Sequence, residues 1–210
     1  MNPTIGLALG SGGARGFAHL GVLKMLTDNN ISIHLIGGSS MGALVGALFA
    51  SGQKIDGLYQ LAQTLKRKYF FDFIIPNMGF IRGERIKEYI SLFTFDKELI
   101  DGGVVDRVPV SVAQEMGADI VIGGCCTHFT ASADIFSIYD VIIQSIDIMQ
   151  DELVNSVGPR ADILLKPEVS SYNSRAFKDT ELIIHEGEQE ALRKLPEILD
   201  SIEFWKEKNK

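Results

Sequence analysis

Only two of the 210 residues are cysteine, Cys125 and Cys126, and they are adjacent. Neighbours in one strand point to opposite faces and rarely bridge each other. Nothing in that count points to a disulfide framework, an oxidising compartment or a zinc site. Histidine is scarce too, at four unclustered positions, and no calcium loop is present. No metal or other cofactor is therefore expected. Positive charge is in short supply. Lys and Arg number 20 against 27 Asp and Glu, a formal net charge of -7. That balance argues against nucleic acid as a partner. The one basic trio, Lys66-Arg67-Lys68, ends an expected helix, where positive charge suits the macrodipole. The N-terminus carries neither a basic segment nor an apolar run of signal-peptide type, so the expected location is the cytoplasm. No repeat, low-complexity tract or linker divides the chain. A hydrophobic fraction of 46% is enough for a core. These features predict one domain over residues 1–210, with a helical C-terminal part from about residue 187.

What is present is glycine at informative places. Residues 4–9 alternate small and large apolar side chains and read as a buried strand. A glycine loop follows at 10–16, then a helix at 17–27 with Leu20, Leu23 and Leu26 at three-residue steps. A second strand is expected at 31–36 and a second helix at 40–50, ended by Gly52. This β-loop-α-β-loop-α opening predicts a parallel sheet with helices on its faces. Further helices are expected at 55–68, 83–93, 108–116 and 135–157, and strands at 118–126 and 162–165. One or two amphipathic helices are expected at 188–206.

The run Leu35-Ile36-Gly37-Gly38-Ser39-Ser40-Met41-Gly42 leads an apolar strand into Gly-x-Ser-x-Gly and then a helix. That is the pattern of a nucleophile elbow, a sharp turn that lifts a serine above the sheet edge. Gly38 and Gly42 flank Ser40, where bulky side chains would obstruct the turn. The helix N-terminus behind Ser40 favours developing negative charge. Two other readings compete. Gly38, Gly42 and Gly46 recur every four residues, as in close helix packing, and residues 35–52 are uncharged over about the length of a membrane span.

The first glycine loop, Gly10-Ser11-Gly12-Gly13-Ala14-Arg15-Gly16, admits three chemical uses. A dinucleotide site needs an acidic residue at the end of the second strand, and none stands there. A P-loop needs Gly-Lys-Ser/Thr, which Arg15-Gly16-Phe17 does not supply. The third use is an oxyanion hole, whose backbone N–H groups bind the charge forming on an attacked carbonyl, at about 3 kcal/mol per donor. A plain packing turn is the fourth, non-chemical reading.

A serine hydroxyl needs a base. His19 and His34 fall within expected secondary structure and read as structural or surface residues. His128 and His185 come late enough for the Ser…Asp…His order of an α/β-hydrolase, and His128 is better placed because it follows a strand. Asp101-Gly102-Gly103 offers an aspartate at an open turn, although Asp-Gly is also an ordinary turn dipeptide.

Taken in order, the glycine loop at 10–16, Gly38-Ser39-Ser40-Met41-Gly42 and Asp101-Gly102-Gly103 resemble the three motifs of the bacterial patatin-like phospholipases. The resemblance runs from Ile5 to about Ile122. It implies a three-layer α/β/α sandwich with a mostly parallel central sheet. It also implies hydrolysis of acyl esters, often phospholipids or lysophospholipids, by a Ser-Asp dyad without histidine. Ser40 would then be the nucleophile and Asp101 the general base. Gly12, Gly13 and Ala14 would supply the oxyanion hole, with Arg15 fixing that loop. The chain departs from the family pattern between Phe93 and Asp101, where members carry several dozen more residues. A non-catalytic binding or regulatory protein on the same fold is the rival that this departure raises.

The expected partner is a lipid or small acyl-ester substrate, with transient contact at a membrane surface. The aromatic stretch at 69–80 reads as core, or as a lipid-facing flap. Net acidity argues against strong binding to anionic membranes.

Overall fold

The computed structural model describes residues 1–64, 108–126, 161–173 and 177–210, together with position 148. Four expectations fall outside them: the Asp101 turn, His128, the aromatic stretch at 69–80 and the helix at 83–93. Nearly all of the helix expected at 135–157 does so too.

Strand β1 (Ile5–Leu9) leads through a 3-10 turn (Gly13–Phe17) into α1 (Ala18–Asp28). Then come β2 (Leu35–Gly38), α2 (Met41–Ala50) and α3 (Ile55–Thr64). Beyond them lie α4 (Val110–Glu115), β3 (Ile120–Gly124), β4 (Ile163–Leu165) and α5 (Thr180–Lys208). The four strands form a parallel sheet in the order β2-β1-β3-β4. With helices on its faces, it is the α/β sandwich that the sequence predicts.

The alternation within β1 explains the layering. Ile5, Leu7 and Leu9 face a large core shared with Leu20, Leu23 and Leu26 of α1, Leu44 and Leu48 of α2, and Ile183 of α5. Each such side chain, fully buried, contributes about 1.5–3 kcal/mol. Ala8 faces the opposite way, toward a smaller cluster with Val108, Val110 and Ala113 at α4 and Val121 of β3. The small residues of β1 let α4 lie close on that face.

Strand β2 is shorter than expected, and the exit from α1 is the reason. Asn30 takes a left-handed φ of 58°, the Asn30 N–H bonds Thr27 O at 3.0 Å, and the Ile31 N–H bonds Leu26 O at 2.9 Å. That is a Schellman ending, and it takes up Ile31, the first residue expected in the strand. His34 then clips the chain beside β1, its N–H to Ile5 O at 2.9 Å and its Nδ1 accepting from Ile5 N at 3.0 Å.

The C-terminal helical part begins at Thr180, earlier than the sequence reading of 188, and is one helix that continues through Pro196. It crosses α1 backbone against backbone. A Cβ at Gly187 would lie 1.9 Å from Ala18 O, and one at Gly21 would lie 2.0 Å from Ile184 O. Buried Glu190 accepts from Lys166 N at 2.8 Å, tying α5 to the end of β4. Tyr59 of α3 donates to Glu188 Oε1 at 3.0 Å.

Candidate functional site

All four strands run the same way, so the segments leaving their C-terminal ends share one rim. The chain steps from β1 out to β2 and later returns past β1 to β3. That reversal is a topological switch point, where open α/β sheets bind ligands. The glycine loop leaves β1 at this point, and Ser40 follows the neighbouring strand.

Ser40 has φ 51° and ψ -120°, a region that residues with a Cβ rarely enter. Such a conformation costs about 1–3 kcal/mol and persists only where its surroundings enforce it. Here they do. The Ser39 N–H bonds Leu9 O at 2.9 Å, the Gly42 N–H bonds Ser39 O at 2.9 Å, and the Leu44 N–H bonds Ser40 O at 3.1 Å. The two glycines are steric requirements. A Cβ at Gly38 would lie 2.5 Å from Ala43 Cα, and one at Gly42 would lie 2.2 Å from Leu9 O. Ser40 is exposed at the N-cap of α2, and its side chain makes no capping bond to that helix. The strand-turn-helix geometry is that of a nucleophile elbow. The membrane-span reading of 35–52 ends here, because a strand and a turn occupy its first third.

The glycine loop is pinned on both sides. The Gly10 N–H extends the ladder to Gly124 O at 2.8 Å. Gly10 O accepts from His19 Nε2 at 2.8 Å. Ser11 Oγ and Ser39 Oγ are hydrogen-bonded at 2.9 Å. Gly13 takes a left-handed φ of 57° and opens the 3-10 turn. The Arg15 N–H bonds Gly12 O at 3.2 Å, so the Gly13 and Ala14 amides precede the first bond of that turn. Arg15 is buried, and its Nε donates to Gly12 O at 3.5 Å. At Gly16 an added Cβ would lie 2.6 Å from Met41 Cβ, so the 3-10 turn rests on the residue after Ser40.

The rim thus brings together Gly12, Gly13, Ala14, Arg15, Gly38, Ser40 and Gly42. Asp101 and His128 are outside the described residues.

Sequence reasoning left His19 without a task. It is fully buried beneath the glycine loop. A carbonyl can only accept, so Nε2 carries the proton; the Cys126 sulfur lies 3.6 Å from Nδ1 and 3.5 Å from Nε2. Burial pushes His19 down to about 4, partly opposed by its bond to Gly10 O, and it is neutral at pH 7. Burial and the neighbouring Cys125 push the Cys126 thiol up, against the pull of Arg15. Neither cysteine is in a disulfide and both are buried, which makes them packing residues rather than nucleophiles. The signal for His19 was its place one turn beyond a glycine loop; Ser11 gave no local signal.

No group of metal-binding type and no helix long and apolar enough to cross a membrane occurs among the described residues.

Residues 7–97 match a family model described as patatin-like phospholipase, and Asp101 lies beyond the match. An uncharacterized NTE family protein of Mycobacterium tuberculosis is 33% identical over 112 residues, 52% of this chain and 29% of the relative. The lysophospholipase NTE1 of Candida albicans is 35% identical over 88 residues, 39% of this chain and 6% of the relative. Neuropathy target esterase sws of Drosophila persimilis is 48% identical over 65 residues, 31% of this chain and 4% of the relative. The chain therefore spans less than a third of the length of these relatives. The matched part of the chain is thus similar to patatin-like phospholipases and to NTE-type proteins.

Proposed function

We propose, from that patatin-like likeness, that the chain is a serine acyl-ester hydrolase acting on lipid esters of the phospholipid or lysophospholipid class. The observation that carries the reading is the strained backbone of Ser40 at a strand-to-helix turn beside the glycine loop. A packing turn has no need of a serine held at φ 51°.

Asp101 takes the Ser40 hydroxyl proton, directly or through water, as Oγ bonds the ester carbonyl carbon. The carbonyl oxygen becomes an oxyanion, stabilised by the amides of Gly12, Gly13 and Ala14 and by the N-terminus of α2. The carbon–oxygen bond to the alcohol then breaks, and Asp101 returns the proton to the leaving group. Water, deprotonated by Asp101, cleaves the acyl-enzyme and restores Ser40. No metal is required. The chain carries a patatin-like domain that meets membrane surfaces transiently from the cytoplasm.

A fluorophosphonate probe tests the nucleophile and a chromogenic acyl ester tests the dyad. Wild type is labelled at Ser40, Ser40→Ala is neither labelled nor active, and Asp101→Asn loses hydrolysis. A folded wild-type protein that resists the probe would sink the enzyme reading in favour of a binding protein. Full activity of Asp101→Asn, with loss in His128→Ala, would replace the dyad by a histidine-dependent triad.

A further inference from the structure

The acyl-transfer steps leave the Ser11–Ser39 hydrogen bond without a role. Both side chains are buried, and their Oγ atoms lie 2.9 Å apart. Ser11 immediately precedes Gly12, and Ser39 immediately precedes Ser40. The bond therefore joins the segment that carries the oxyanion donors to the segment that carries the nucleophile.

The two ends of this bond are not equally secure. Ser39 is set by its own N–H on Leu9 O at 2.9 Å. The glycine loop is anchored at Gly10, through Gly124 O and His19 Nε2, and again at Gly12 O, which accepts from Arg15; Ser11 lies between these anchors with a glycine on either side. Glycine gives such a loop wide conformational freedom. We propose that the Ser11–Ser39 pair is a positioning clamp, which sets the separation between Ser40 and the amides of Gly12, Gly13 and Ala14. Its catalytic consequence rests on the acyl-transfer reading; its hold on the loop does not. A donor displaced by about 1 Å from its productive place can cost about 100-fold in rate. The clamp keeps the oxyanion donors and Oγ in register without touching substrate, so the two serines are positioning residues.

The test compares wild type, Ser11→Ala, Ser39→Ala and the double variant on para-nitrophenyl butyrate. It adds urea unfolding and peptide-level hydrogen exchange over residues 10–17. Each single variant leaves one buried hydroxyl unpaired and lowers the urea midpoint. The double variant removes both partners and recovers most of that midpoint. Activity behaves differently. The expected kcat falls about tenfold or more in all three variants with KM little changed, and it does not recover in the double variant. Residues 10–17 exchange faster in the double variant than in wild type. A kcat that recovers together with the midpoint would reduce the pair to a structural contact and overturn the clamp. If wild type is unlabelled and inactive, the acyl-transfer reading has failed. Exchange still decides the clamp in that case: faster exchange supports it, and unchanged exchange over residues 10–17 refutes it.

Discussion

Gly187→Ala should destabilise the protein although alanine is the better helix former. Residue 187 lies inside α5 where that helix crosses α1. The added Cβ would stand 1.9 Å from Ala18 O and 2.7 Å from Ala18 C. Both obstructing atoms are backbone, so no side-chain rotation relieves the contact. The helices must separate by about 1.5 Å before it reaches an ordinary van der Waals distance. A Cβ at Gly21 would lie 2.0 Å from Ile184 O in the same crossing, so the two backbones are in close contact along the whole seam. Overpacking of this kind costs about 1–3 kcal/mol, and the backbone obstruction puts this site at the upper end. The helix propensity of alanine returns about 1 kcal/mol. The net loss is then about 2 kcal/mol, which lowers Tm by about 4–8 °C for a chain of this size. Urea and thermal unfolding followed by circular dichroism measure both values. Gly57→Ala is the control, because nothing lies within 4 Å of its Cβ position in α3. It should gain about 0.5 kcal/mol or more. A Gly187→Ala protein as stable as wild type would refute the argument from backbone contact.

Three further outcomes follow from the site. Ser40→Gly should be about 1 kcal/mol more stable than Ser40→Ala, because glycine tolerates the conformation that strains alanine; equal urea midpoints would remove strain from the account. Gly42→Ala would set a Cβ 2.2 Å from Leu9 O and push the elbow off β1, so fluorophosphonate labelling should fall about 100-fold even where the variant stays folded. His19 has its folded pKa lowered from 6.5 to about 4, so between those values the unfolded chain binds a proton that the folded protein refuses. Stability from this group is therefore full above pH 6.5 and is lost as pH falls toward about 4, by about 3 kcal/mol in all. The acid slope of the urea midpoint should flatten in His19→Gln, which keeps a donor for Gly10 O but does not titrate there; an unchanged slope would exclude His19 as its source.

Local patterns were enough for part of this fold. The small-large alternation of residues 4–9 and the glycine spacing at Gly38 and Gly42 mark β1 and the elbow, because these features depend on residues close in sequence. Strand β2 starts later than its apolar pattern suggests, because the Schellman ending of α1 takes up Ile31. Helix α5 was begun too late. Gly187 reads locally as a helix breaker, yet it sits mid-helix because α1 needs the space its missing Cβ leaves. The pairings Ser11 with Ser39 and Glu190 with Lys166 join segments that meet only after the strands have paired. No periodicity announces them. The open Asp101-Gly102-Gly103 turn fits a base and an ordinary turn equally, the resemblance decides for the base, and Asp101 lies outside the described residues.

Among the described residues, the contacts of Ser11 with Ser39, Gly42 with Leu9 and Gly10, and Gly16 with Met41 hold the Ser40 turn against β1 and the glycine loop. All of them close within one β-α-β-α stretch, the serine pair only 28 residues apart. Such a unit can acquire its internal spacing as soon as its two strands pair. Changes of chain length farther along leave that spacing alone. Any group delivered from beyond α3 has to find a place on a surface that is already set. The opening stretch therefore behaves as a cassette, and variation downstream alters what is presented to Ser40 rather than how Ser40 is held.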